Sequence, residues 1–136
     1  MNKICTSLEQ SKKLIELGVD INTADMYYQY FKSYSPSNGV TTGHCDIPVI
    51  GSWKEHHISI PDPAMHNADI PAWSLTALLE LMPSIKGFRP LLALDDNYIT
   101  YPIIDNAHFS AETPLDAAFE MICWLKENKK ILLFCH

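Results

Sequence analysis

Residues Leu14–Asp25, LIELGVDINTAD, end one helix and begin something that is not a helix. Upstream, Thr6 and Glu9 form a T-x-x-E pattern, in which each side chain satisfies a free backbone N–H at the helix start. Leu8, Leu14, Ile15 and Leu17 share a face with Ser11, while Lys12, Lys13 and Glu16 point outward. Gly18 stops the run, because a left-handed cap costs glycine little. The spacing predicts a helix over 7–17 and then a tight polar turn. Whether that turn closes one unit of a repeating array or feeds strands decides the fold.

Downstream, MYYQYFKSY (residues 26–34) is aromatic-rich and leads into SPSNG, the pattern of a strand or short extended segment entering a turn. The plain reading is a strand whose Tyr hydroxyls sit at the rim of the core. The sharper one is an exposed strip that binds a partner or a stacked ligand through Tyr27, Tyr28, Tyr30, Phe31 and Tyr34. Pro36, Pro48, Pro61, Pro63 and Pro71 then punctuate the chain, so only short or edge strands fit between them. HCDIPVIGSW (44–53) and HHISIP (56–61) are read as short strands, and PDPAMHNAD (61–69) as a loop.

A second helix is expected to start at Pro71, with Trp73 packing near its start. Leu75, Leu78, Leu79 and Met82 follow at helical spacing before Pro83. LLALDDNYITYPII (91–104) reads as an antiparallel hairpin around Asp95, Asp96 and Asn97, with Pro102 at an edge or near the end of pairing. A third helix begins at Thr113 and Pro114, with Leu115, Ala118, Phe119, Ile122 and Leu125 facing inward. ILLFC (131–135) is read as a terminal strand or an ordered tail.

The alternative to a sheet is a solenoid. LIELGVDINTAD resembles the end of an ankyrin repeat, and TPLDAA (113–118) resembles the start of one. In that family the start precedes the end within a unit of about 33 residues. Here the order is reversed, no period is visible, and the intervening chain is rich in proline and β-prone residues. Stacked units bury their faces only against neighbours, so an array is rejected. What remains is an α+β fold: a single domain over 1–136, an antiparallel sheet, and about three amphipathic helices packed mainly on one face.

At 136 residues, 47% of them hydrophobic and 19% charged, the chain has the composition of one folded globular unit. The net charge of −6 lies wholly in residues 35–112, where Lys54, Lys86 and Arg89 face nine acids. Such a surface repels phosphate, so nucleic acid is not expected as a partner. No stretch reaches the roughly 20 apolar residues of a membrane helix, and no leader-like run opens the chain, so a cytoplasmic, membrane-free protein is expected. Cys5, Cys45, Cys123 and Cys135 form no CxxC pair and read as reduced, mostly buried thiols.

Chemistry is sparse. His44, Cys45, Asp46, His56, His57, Asp62, His66 and His108 offer metal-ligating atoms, with His44, Cys45, His56 and His57 the densest group. No HExxH, CxxC or other paired spacing organises them, and scattered structural histidines explain them as well. Cys45 could serve as a nucleophile with a distant His57 or His108, but adjacent His44 and Asp46 point to other faces of a strand. Asp95 and Asp96 are explained by turn formation rather than acid–base work. Walker A, GxGxxG and GxSxG patterns are missing, so no cofactor and no catalytic residue are expected.

Three blocks in order, CTSLEQSKKLIELGVDINTADMYY (5–28), DIPAWSLTALLELMPS (69–84) and TPLDAAFEMICWLKENK (113–129), resemble a family of short uncharacterised proteins from gut anaerobic bacteria and their phages or mobile elements. The resemblance carries no activity, cofactor or site residue. It implies an accessory protein that binds a protein partner or itself. The expectation is therefore a non-enzymatic interaction protein using residues 27–34 or the acidic middle. The alternatives are a small metal-binding protein or hydrolase centred on Cys45 and nearby His, and an acidic competitor of nucleic acid for a basic partner.

Overall fold

The computed structural model describes residues 3–59, 69–102, 104 and 106–128. In chain order these hold helix α1 (Leu8–Glu16), a 3-10 turn (Ile21–Thr23) and strands β1 (Met26–Tyr28), β2 (Tyr30–Ser35), β3 (Gly39–His44) and β4 (Val49–Ile50). Helix α2 (Trp53–Ser59), β5 (Ile70–Ala72) and α3 (Leu75–Leu81) follow, then β6 (Leu91–Ala93), β7 (Tyr98–Thr100), β8 (His108–Ser110) and α4 (Pro114–Glu127). The class is α+β with antiparallel pairing throughout. The strands are divided among three small sheets, β4–β1–β5, β2–β3 and β6–β7–β8. Frequent prolines keep most strands to two or three residues.

The start of α1 falls one residue later than the T-x-x-E pattern predicts. Ser7 is the cap: its hydroxyl accepts the Gln10 N–H, and the Gln10 side chain accepts the Ser7 N–H. Thr6 is instead fully buried, its N–H donating to the Trp73 carbonyl and its hydroxyl accepting the Trp73 N–H. A tertiary contact thus takes the side chain that local pattern assigns to a cap. Gly18, at φ +86°, ends the helix as expected. Of the predicted inner face, Leu14 and Ser11 are buried whereas Ile15 is exposed.

Two further expectations are corrected. Residues 56–59 of HHISIP are helical, because the Ser52 hydroxyl accepts the Glu55 N–H and Trp53 and His56 are buried three residues apart, a helical rather than a strand spacing. Pro71 lies in β5 opposite Tyr27, at the edge of its sheet, where a missing donor is tolerated. Ser74 caps α3, with its hydroxyl accepting from Ala77 N–H while Asp25 accepts both the Ser74 N–H and its hydroxyl.

The predicted hairpin at 91–104 forms as β6 and β7, with Asp95 and Asp96 exposed in its turn and Pro102 just past the pairing. β8 adds a third strand beyond the expected hairpin. Leu92, Ile99 and Phe109 align across this sheet toward α4, where Phe109 meets Trp124. Thr113 caps α4 and Pro114 opens it. Leu115, Ala118, Met121, Ile122 and Leu125 join Leu14, Trp53, Trp73, Leu78 and Ile99 in the principal core. Cys5 is buried, Cys45 and Cys123 are half-buried, and all three thiols are free. Residues 131–135, read as a strand or tail, lie outside the described residues.

Candidate functional site

The aromatic segment divides at Gln29. In β1, Tyr28 is core: 8% exposed, with its hydroxyl donating to the Thr6 carbonyl at 2.9 Å and lying 3.5 Å from Cys5 Sγ. Burial, aided by the Cys5 contact, pushes its pKa well up. Tyr27, on the other face of β1, stacks on the His56 ring at 3.8 Å and 16° and meets Trp53 edge-on at 6.5 Å. Burial, then the nearby Asp69 charge, raises the Tyr27 pKa.

His56 and Asp69 form the best-defined polar centre. His56 Nε2 stands 2.6 Å from Asp69 Oδ2, and both side chains are under a tenth exposed. The second carboxylate oxygen, Oδ1, accepts the backbone N–H of Tyr30 at 2.7 Å. Asp69 therefore ties α2 and the approach to β5 to the first residue of β2. Tyr27, Gly51, Ser52, Glu55 and His56 line a shallow, open pocket of about 270 Å³ beside this pair. The Ser52 hydroxyl there is engaged at the start of α2. The centre is built as a joint: a buried carboxylate is tolerated because each oxygen has a donor.

Beyond that joint β2 and β3 form a hairpin. They pair with each other from Tyr30↔His44 to Ser35↔Gly39, and among the described residues no other strand adds to them. Gly39, at φ +73°, supplies the left-handed position that closes the turn. Tyr30, Lys32, Tyr34, Val40, Thr42 and His44 share one face; Phe31, Ser33, Thr41 and Gly43 share the other. Tyr34 is 75% exposed, Val40 57% and Phe31 38%. Phe31 lies over Gly43, where a Cβ would come within 3.1 Å of its ring. Tyr30 meets His44 edge-on at 5.8 Å.

The five aromatic residues of the expected strip thus have three fates. Tyr28 belongs to the core, Tyr27 and Tyr30 to the joint, and Phe31 and Tyr34 to an exposed arm. Of the metal candidates, His44 ends β3, Cys45 follows it with its N–H bonded to the Gln29 carbonyl, and His56 turns to Asp69. His108 packs near Tyr98 on the outward face of β6–β7–β8. Among the described residues no three His, Cys, Asp or Glu side chains gather to hold a metal ion. Asp62, His66 and the His57 side chain lie outside the described residues.

Asp69, the residue that organises this region, ends the PDPAMHNAD segment, whose pattern predicts a loop. Its partner lies thirteen positions away on a helix whose sequence pattern suggests a strand, so no local spacing marks the pair.

Comparisons of the chain with protein-family models, with curated proteins and with solved structures find no significant match. Among the described residues no helix is long and apolar enough to cross a membrane.

Proposed function

We propose that the protein is a non-enzymatic binding protein that engages a protein partner through the β2–β3 hairpin. One observation carries this reading: Phe31, Tyr34 and Val40 stand exposed on a hairpin whose outer strand edge is unpaired among the described residues. A two-stranded hairpin is marginal by itself, and an open edge is a template for an added strand. Asp69 ties its root at Tyr30 to the body, and the Cys45–Gln29 bond closes the two strands on each other there. An accessory role in a phage or mobile element is the setting that the resemblance of the three sequence blocks implies.

The test is affinity capture from the native host with wild type and a Phe31→Ala, Tyr34→Ala, Val40→Ala variant. Equal thermal stability of the two proteins serves as the folding control. Loss of the captured component from the variant is expected. Capture of the same component by both would remove the hairpin from the interface.

A further inference from the structure

We infer that the pocket lined by Tyr27, Gly51, Ser52, Glu55 and His56 receives an arginine side chain of the protein partner, with its guanidinium between the Glu55 carboxylate and the aromatic wall. The source of that arginine rests on the protein-binding reading above; the chemistry of the pocket does not.

Charge selects a cation. Among the described lining residues Glu55 carries the charge, and no Lys or Arg joins it. Within the described chain the Glu55 carboxylate makes no ion pair, and Lys54, its neighbour on α2, does not line the pocket. The Ser52 hydroxyl accepts the Glu55 N–H and so fixes Glu55 at the pocket's rim. The His56 ring in the wall is bonded to Asp69, so that pair adds no net positive charge. Burial, and then the Asp69 charge, work against ionisation of the Tyr27 hydroxyl. An anion entering here meets a carboxylate with no cation to offset it, whereas a cation meets its complement.

Shape selects a guanidinium on the end of a side chain. The rings of Tyr27 and His56 lie 3.8 Å apart and within 16° of parallel. A planar, delocalised cation packs against such a wall while two of its N–H groups reach one carboxylate; an ammonium is a compact and strongly hydrated point charge. At about 270 Å³ and open at its mouth, the pocket is smaller than the roughly 300–1,000 Å³ of sites that enclose free small molecules. It suits a side-chain tip presented from outside.

Gly51 keeps the mouth open. Its φ is not in the left-handed region, and an added Cβ would stand 3.5 Å from Tyr27 Cε1, an ordinary contact. Neither backbone geometry nor crowding calls for glycine there, so its effect is on access. Three residues of extended chain span at most about 11 Å, which puts Tyr27 within that distance of Tyr30 at the hairpin root. One partner surface can therefore reach both the arm and the pocket.

The test titrates the isotope-labelled full chain with the capped tripeptide acetyl-Gly-Arg-Gly-amide and follows backbone amide shifts by NMR. Saturable shifts are expected at Tyr27, Gly51 and Glu55. The citrulline tripeptide, of the same shape without the charge, is expected to bind at least about tenfold more weakly, and the lysine tripeptide also less tightly. Glu55→Gln, at an exposed site, is expected to weaken arginine binding about threefold. Gly51→Leu, which fills the mouth, is expected to abolish it at an unchanged melting temperature. Absence of saturable shifts, citrulline or lysine binding as tightly as arginine, or full affinity in Glu55→Gln overturns the inference. Free arginine binding more tightly than the tripeptide would overturn the partner as its source. If the arginine tripeptide binds as expected while the Phe31, Tyr34 and Val40 variant still captures the same component, the hairpin reading falls and the pocket stands.

Discussion

β1 and β2 come from one aromatic run, separated by Gln29, yet they do opposite things. In β1 Tyr28 is buried among Cys5, Met26 and Ala72, and β4 and β5 flank the strand on both sides. In β2 Tyr34 and Lys32 are exposed, and the strand has β3 as its pairing partner. Aromatic β-propensity places both segments in strands. It does not choose between core and solvent, because that depends on which elements later in the chain return to cover the strand. β5 returns to β1, whereas β2 receives β3 along one edge and the Asp69 carboxylate at its first residue.

The largest test of this contrast is Tyr28→Ala. Removing a buried aromatic ring is expected to lower the unfolding free energy by about 4 kcal/mol, read by urea denaturation. A loss below about 1 kcal/mol would place β1 outside the cooperative core. Asp69→Ala comes next, since it leaves the buried His56 without its carboxylate and the Tyr30 N–H without its acceptor. A loss of about 3 kcal/mol is expected, together with faster amide exchange at Tyr30. Unchanged exchange at Tyr30 would show that the hairpin is oriented by something else.

A smaller effect separates body from arm by pH. Burial works against ionisation of Asp116, but hydrogen bonds from Lys3, Gln10 and Thr113 and the Lys3 charge outweigh it and hold its pKa below the ordinary value. A carboxylate with a depressed folded pKa stabilises above its unfolded pKa, and that contribution is lost as pH falls through the folded one. Stability should therefore decline in acid, and Asp116→Asn should flatten that part of the profile. An unchanged acid profile in the variant would rule out this contact as the source. Tyr34→Ala is expected to have the least effect on stability, within about 0.5 kcal/mol, while weakening association through the hairpin. A loss as large as that of Tyr28→Ala would mean that the arm is folded into the core.

Much of the scaffold was legible because its signals are local. The Gly18 stop, the helical spacing of Leu75, Leu78, Leu79 and Met82 (though not the expected start at Pro71), the turn at Asp95–Asn97 and the Thr113–Pro114 start all need only a few neighbouring residues. The errors have two sources, a distant group that competes and, at 56–59, a helix start whose serine lies just upstream. Thr6 lost the cap to Ser7 because Trp73, sixty-seven positions away, binds its hydroxyl. Residues 56–59 looked strand-like, yet the buried Trp53 and His56 and the Ser52 hydroxyl make them helical. The candidate site was legible only in part: Phe31 and Tyr34 stood in the expected strip, but nothing near Tyr28 in sequence announced that β4 and β5 would enclose it.

The sequence by itself determined the α+β class, the Gly18 stop and the Thr113–Pro114 start, and an acid-free stretch within an acidic chain. Those follow from hydrogen bonding, backbone geometry and charge over a few residues. Only the tertiary structure decided the division into three sheets, the burial of Tyr28 against the exposure of Tyr34, and the His56–Asp69 joint. Each requires residues far apart in the chain to meet, and the pairing of a buried carboxylate or the cover over an aromatic ring has no local spacing from which it could be read.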